Sequence, residues 1–520
     1  MILQLPKVAS SSSGTACLPR TQLDPTVDVM RTSEKAAFDE LVAWSTRNGA
    51  SLSLEIYQSE TTGFSFRSAA GRGNDGQAVV TCPFVTTLSY LNALVNGPYA
   101  TSSEGEGAGH DPAFPARFME SVPPHVIGRF YLMQQFLLGS RSYWYPYIKT
   151  LPQPDRVASW ALPAFWPAED IEFLENTNAH AAIDEIQANV KEEFKQARKL
   201  LRAEDFPGWQ DYSRLLYNWA FCIFTSRSFR PSLVLSDQTK EKIWKLLPPS
   251  RDLDDFSILQ PLFDIANHSP TAGIVWDTKS DPTACQLICK DSTGPGEQVF
   301  NNYGQKSNGE LLLGYGFILP ATDEFHNEYV HVRKREDLAG GQPGGGRTPN
   351  EKQKKDFLVS LRPMNDPSSL AGRSRQLISD PNFQIRPCFA HFEDSLLWDI
   401  ASMVMEEGEW KTIEALVAHK SAGTREASSF VEHLKVVIGE PTDPGVEGLV
   451  ARIKEVLSEK LRYDYEKLVA AESRNEHGQG VGEEAAEWSQ PANPNQVLAV
   501  AYRYRCRVVL EAAIRSLAEK

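Results

Sequence analysis

Residues 261–270 read PLFDIANHSP and residues 294–319 read GPGEQVFNNYGQKSNGELLLGYGFIL. Between them, Ile274 to Trp276 and Gln286 to Cys289 have the β-branched and aromatic content of short strands bounded by turn-forming residues. Asp264, Asn267 and His268 are polar groups among Leu262, Phe263 and Ile265. Polar side chains in such a run are usually buried and need partners; taken alone, the triplet reads most simply as a turn bonded to its own backbone. Gly294, Pro295 and Gly296 predict a turn into a strand from Glu297 to Asn302, which ends at Tyr303-Gly304. Ser307 and Glu310 spell S-x-x-E, a capping box that opens a short helix through Leu311, Leu312 and Leu313. Tyr303 and Tyr315 therefore stand at element ends, where functional side chains are often presented. Each by itself reads as a core aromatic with its hydroxyl at water.

Working outward, Ser33 is the expected N-cap of an amphipathic helix that reaches Asn48, with Gly49 as its stop. Short strand-like runs follow at Leu52 to Tyr57, Phe64 to Phe66 and Ala78 to Cys82, the last ended by Pro83. From about Phe114 to Leu247 the apolar period is helical, with a charged helix from about Ala181 to Arg202 and a buried one from Tyr212 to Thr225. Strand-like runs return in residues 258–303. The reading is an α+β fold: one sheet region assembled from two sequence blocks, split by a helical insert, and followed by an all-α domain. The expected divisions are a disordered N-terminus at 1–30, a first block at 31–113, the insert at 114–250 and a second block with the chemistry at 251–335. A flexible, Gly- and Pro-rich linker at 336–356 and a helical domain at 357–520 complete the chain. In that last domain Val446, Leu449, Val450, Ile453, Val456, Leu457 and Leu461 keep a helical period. Residues 472–492 read as an exposed loop, and Asn493-Pro494 as the start of a final helix.

With 53 Lys and Arg against 67 Asp and Glu, the net charge of −14 argues against a general nucleic-acid-binding surface. The same acidity suits a basic protein segment as partner, or simply solubility. Seven scattered cysteines, of which only Cys285 and Cys289 are close, supply no four-ligand metal site and suit a reducing compartment. No apolar run reaches membrane-spanning length, and the N-terminus lacks the order of a secretory signal. A cytosolic or nuclear protein is expected.

The combination DxxNHS followed by GEQVxxxYGxKSNxELLxxYGF, with motifs in order over residues 264–317, resembles the C-terminal half of a SET domain. It is similar to the SET proteins related to plant Rubisco large-subunit methyltransferase and to the fungal ribosomal-protein lysine methyltransferases. Residues 222–229, CIFTSRSF, resemble that group's SRxF segment. Residues 130–152, FYLMQQFLLGSRSYWYPYIKTLP, together with PAFW at 163–166, resemble its helical insert. The C-terminal helices match its substrate-binding domain in pattern and position.

The resemblance implies an S-adenosylmethionine-dependent protein-lysine N-methyltransferase acting on a non-histone protein, ribosomal or translation-related. It leaves as rivals a histidine methyltransferase of the same fold and a catalytically weak binding module. Residue by residue, it implies that Tyr303 is the catalytic tyrosine at the transfer pore and that Tyr315 shapes the lysine channel, with Trp276 as a further lining residue. Asn267 and His268 would hold the cofactor, with Arg227 near its carboxylate. Gly63, Phe64, Ser65 and Phe66 would supply backbone contacts to its methionine part. Ser65 stands where the group often has a second glycine, and Gly71-Arg72-Gly73 is the alternative turn. Asp264 is expected to support the turn rather than to react. The implied cofactor is S-adenosyl-L-methionine and the partner a protein bearing a target lysine; no metal, nucleic acid or membrane is implied, and a monomer is expected.

Overall fold

The computed structural model describes residues 30–59, 62–69, 76–99, 111–333, 356–380, 382–420, 430–440, 443–476 and 491–519. The N-terminus expected to be disordered lies outside these except for Met30; so do Gly71-Arg72-Gly73, nearly all of the expected linker, and residues 477–490 of the expected loop.

The first helix, Thr32–Arg47, buries Phe38, Leu41 and Trp44 on one face. Its cap lies two residues earlier than expected. Arg31 is the N-cap, and its backbone N–H donates to Glu34 Oε2 at 3.1 Å, so Ser33 falls inside the first turn. The reach of the Glu34 carboxylate back to that N–H sets the start of the helix at Thr32.

Eleven strands follow among the described residues. β1 (Ser51–Leu52), β2 (Glu55–Ser59), β3 (Gly63–Arg67) and β4 (Ala78–Pro83) belong to the first block. β5 (Ser228–Phe229), β6 (Ile258–Leu259), β7 (Ile274–Asp277), β8 (Ala284–Cys289) and β9 (Gln298–Val299) come after the insert. The blocks interleave: one sheet has the order β1-β4-β8-β7 and a second β2-β3-β9, all neighbours antiparallel. Cys82 lies opposite Cys285, and Phe66 opposite Val299. The expectation that two distant blocks share one sheet region is thus borne out.

The helical insert shares one hydrophobic core with these sheets. Pro124 occupies the first turn of Pro124–Leu138, where its missing N–H costs nothing. The long helix Asn178–Ala203 buries Ala179, Ile183, Val190, Ala197 and Leu201, a one-faced stripe. Arg214–Arg227 is buried nearly all round, through Tyr217, Trp219, Cys222 and Ile223. Its N-cap Ser213 accepts from Leu216 N–H at 3.2 Å, and its C-terminus delivers Arg227 to the edge of β5.

A second core lies under the C-terminal part. The reading of residues 357–520 as helix throughout needs one correction: β11 (Asp356–Ser360) pairs with β10 (Tyr329–Arg333) before the helices begin. Phe357, Leu358, Val359 and Ser360 are all buried, and a strand covered on both faces shows no alternation by which to recognise it. The helices Asp394–Val404, Glu447–Glu476 and Pro494–Leu517 then pack around Leu397, Ile453, Leu461 and Val509.

The final helix ties the C-terminal part to the insert and to the second strand block. Its cap Asn493 accepts from Gln496 N–H as expected. The side-chain amides of Asn493, Asn495 and Gln496 donate to Asp170 at 2.8, 2.9 and 2.9 Å. Arg505 pairs with the buried carboxylate of Glu328. A Cβ added at Gly309 would stand 3.0 Å from the Tyr502 hydroxyl, so glycine there permits the close approach.

Candidate active site

Two strand ends meet side by side. The backbone of Asn267 to Ser269 runs parallel to that of Asn301: Asn301 N–H donates to Asn267 O at 2.7 Å, and Ser269 N–H to Asn301 O at 2.9 Å. This contact sets the NHS turn beside Tyr303. Tyr303 N–H donates to His268 Nδ1 at 3.1 Å, and the two rings stack with centroids 5.0 Å apart. Tyr315 stacks on Tyr303 as well, at 4.9 Å. Tyr315 is the last residue of the helix Asn308–Tyr315, fixed at its start by the expected capping box: Ser307 Oγ accepts from Glu310 N–H at 3.3 Å, and Glu310 Oε2 accepts from Ser307 N–H at 2.8 Å. Gly316 ends it in the left-handed conformation at φ +76°. Ser307→Ala is expected to lower stability by about 1 kcal/mol, readable as an earlier urea midpoint at unchanged slope.

The hydroxyl of Tyr303 donates to Ala266 O at 2.9 Å, so two oxygens converge at one point. Burial pushes the Tyr303 phenol above its ordinary range, and Tyr315 is pushed up to about 12, chiefly by burial. Both phenols are therefore neutral at physiological pH. Burial, and then the positive charge of Lys306, hold His268 down at about 4. Its neutral ring accepts at Nδ1, which places its proton on Nε2.

Beneath this point Asp264 is buried. Burial raises its carboxyl above the usual range, against the opposing pull of Arg227 and Tyr147. Tyr147 Oη donates to Asp264 Oδ2 at 2.9 Å; Arg227 Nη1 donates to Asp264 O at 3.1 Å and lies 3.4 Å from Oδ2. The turn preceding the motif holds Leu262 at φ +73°, a conformation that costs roughly 1–3 kcal/mol in a non-glycine residue.

A cavity of about 250 Å³ opens against Tyr303. Arg227, Asp264, Phe229, Trp276 and Tyr315 line it, with Arg230, Leu233 and Lys306 also on its wall. Gly63, Phe64, Ser65, Phe66, Asn267 and His268 are not among its lining residues. Asn267 is joined to the 63–66 strand instead: its Nδ2 donates to Ser65 Oγ at 2.5 Å and to Thr62 O at 3.1 Å, while His268 lies against the lining residue Tyr303. Arg227 sits with Tyr303, Trp276 and Tyr315 on the cavity wall. Among the described residues, no three His, Cys, Asp or Glu side chains converge in a way that could hold a metal.

The whole architecture has solved counterparts. The SET domain of Rubisco large-subunit methyltransferase, solved with methyllysine and S-adenosylhomocysteine, superposes with a TM-score of 0.54, covering 93% of this chain and 91% of that one at 14% identity. This chain carries a SET fold of the Rubisco large-subunit methyltransferase type. Among curated proteins, the Schizosaccharomyces pombe ribosomal lysine N-methyltransferase set10 is 28% identical over 73% of this chain; the match spans 64% of that protein, just under two thirds of its length. A chicken actin-histidine N-methyltransferase is 23% identical over 54% of this chain and 42% of its own. No protein-family profile matches.

Four residues of this SET site went unnoticed in the sequence. Asn301 accepts from Trp276 Nε1 at 2.8 Å and so braces this cavity-lining side chain against the parallel contact. Tyr147, from the insert, reaches Asp264 across 117 positions, a distance no local pattern signals. Arg230 and Lys306 read as ordinary surface cations until the fold brings them to one cavity.

Proposed function

We propose that this protein is an S-adenosylmethionine-dependent protein-lysine N-methyltransferase acting on a non-histone protein in the cytoplasm or nucleus. The observation that carries the reading is the meeting of the Tyr303 hydroxyl and the Ala266 carbonyl beside a cavity of about 250 Å³. The relatives' names and the solved neighbours support it.

The residues present fit the cofactor. His268 Nε2 and Asn301 Nδ2 are buried polar atoms with no hydrogen-bond partner among the described residues, and such atoms call for a ligand with acceptors. Asn267, Ser65 and the backbone of Gly63 to Phe66 supply further polar groups, and Gly63 has open space where a side chain would stand. When bound, S-adenosylmethionine supplies a methyl group activated by a positively charged sulfur.

The chain's own groups do the rest. The Tyr303 oxygen and Ala266 O present partial negative charge at one point, a preorganised electrostatic contact that would favour a polarised methyl group there. The phenol, neutral at working pH, orients the incoming amine by hydrogen bonding. Trp276, Phe229 and Tyr315 narrow the cavity and exclude water. A lysine ammonium has a pKa near 10.4 and reacts only as the free amine. Arg227, Arg230 and Lys306 around the cavity, and the apolar walls, disfavour the charged form. Arg227 also neutralises Asp264, whose backbone precedes Ala266 and so fixes the direction of that carbonyl.

The test is incubation of a cell lysate with labelled S-adenosylmethionine and the purified protein, followed by hydrolysis of the labelled product. Nε-methyllysine is the expected amino acid. Label recovered as methylhistidine, or no cofactor binding by calorimetry, overturns the reading.

A further inference from the structure

We infer that Arg230 and Lys306 form a cationic rim that selects a target lysine flanked by aspartate or glutamate. This rests on the reading of the cavity as a lysine channel and names the substrate class that channel takes. The protein as a whole carries a charge of −14, yet the cavity lining holds three cations, Arg227, Arg230 and Lys306, and one carboxylate, Asp264. Arg227 is engaged with that carboxylate. Arg230 is exposed, and neither it nor Lys306 has a carboxylate at ion-pair distance among the described residues. Lys306 Nζ stands 5.9 Å from the centre of the Tyr315 ring, which fixes it at the side of the channel rather than in open solvent. Burial first and the Glu310 carboxylate second raise the Tyr315 phenol's pKa, and Arg230 opposes both. Glu310, on the same helix as Tyr315, is not among the lining residues and accepts from Ser307 N–H and Oγ at 2.8 and 2.9 Å.

Such a rim repels a target segment rich in lysine and arginine. It attracts carboxylates placed next to the residue that enters the channel, and charge complementarity of this kind sets specificity more than total affinity. The exposed apolar side chain of Leu233 on the same wall leaves room for an aliphatic stem beside those carboxylates.

Three otherwise identical peptides, with a central lysine flanked on both sides by Glu, Gln or Arg, test the idea. Binding is measured by fluorescence anisotropy with S-adenosylhomocysteine present, and methyl incorporation separately with S-adenosylmethionine. The Glu peptide is expected to bind about five- to tenfold more tightly than the Gln peptide, and the Arg peptide more weakly than either, with the spread shrinking in 0.5 M salt. The double variant Arg230→Gln, Lys306→Gln is expected to erase the spread. Equal affinity for all three peptides, or a preference that survives the double variant, overturns the rim. A Glu preference lost in the double variant supports it, even if no peptide is methylated; absence of methylation bears on the transfer reaction alone.

Discussion

Tyr303→Phe is expected to lower the methyl-transfer rate by about 100-fold or more, while S-adenosylmethionine binds within about threefold of the parent affinity. The substitution removes one oxygen and leaves the ring, so the stacks on His268 and Tyr315 and the backbone bond to His268 Nδ1 persist. What disappears is the donor to Ala266 O and the partial negative charge at the junction of the two strand ends. A group that acts on the transition state lowers kcat with little change in ground-state binding. Single-turnover transfer beside calorimetry separates these. An unchanged rate would falsify the assignment of Tyr303; a lost rate with lost cofactor binding would make it a structural residue instead.

Arg227→Met is expected to destabilise the fold by about 2–3 kcal/mol at pH 8, because it leaves the buried Asp264 carboxylate without its cation. The deficit has a pH signature. Asp264 already titrates above its usual range in the folded protein, and removal of Arg227 lifts it further. An acid whose folded pKa is raised adds stability when protonated and loses it as pH rises through the folded value. The variant's higher folded pKa means that Asp264 takes up its proton earlier on acidification, so the gap from wild type narrows from pH 8 towards pH 5. Urea unfolding at the two pH values measures this, and Arg227→Lys is expected to restore part of the stability at pH 8. A gap of constant size would show that lost packing, not an uncompensated charge, accounts for the effect.

What could be read in advance follows the range of the interactions concerned. The Ser307–Glu310 cap and the Asn493 cap are local, each a matter of three residues, and both were legible. The pairing of β4 with β8 and β3 with β9 joins segments some 200 positions apart, and it was legible only as an architecture, through the strand content of two blocks. The register, with Phe66 opposite Val299, was not. Nor was the insertion of Tyr147 beneath Asp264 legible, because nothing in the sequence marks which tyrosine of the insert turns inward. Ser65, conspicuous only as a departure from glycine, proves to accept from both Asn267 and Gln298, at 2.5 and 3.2 Å. The strain at Leu262 has no sequence signal, since leucine is the wrong residue for a positive φ and only the surrounding fold enforces it. β11 was missed because burial on both faces erases the alternation that identifies a strand.

The amide clamp on Asp170 bears on how such a protein could be retargeted. Exchanging the C-terminal helices for those of another chain would look like a clean substitution, since they are separated from Tyr303 and Tyr315 in sequence. Yet the last helix holds a carboxylate of the insert through residues 493, 495 and 496, and rests Tyr502 over Gly309, on the short helix that ends at Tyr315. A graft lacking those four side chains would remove support from the helix that carries Tyr315, so a new C-terminal part would have to bring its own fit to the insert and to that helix.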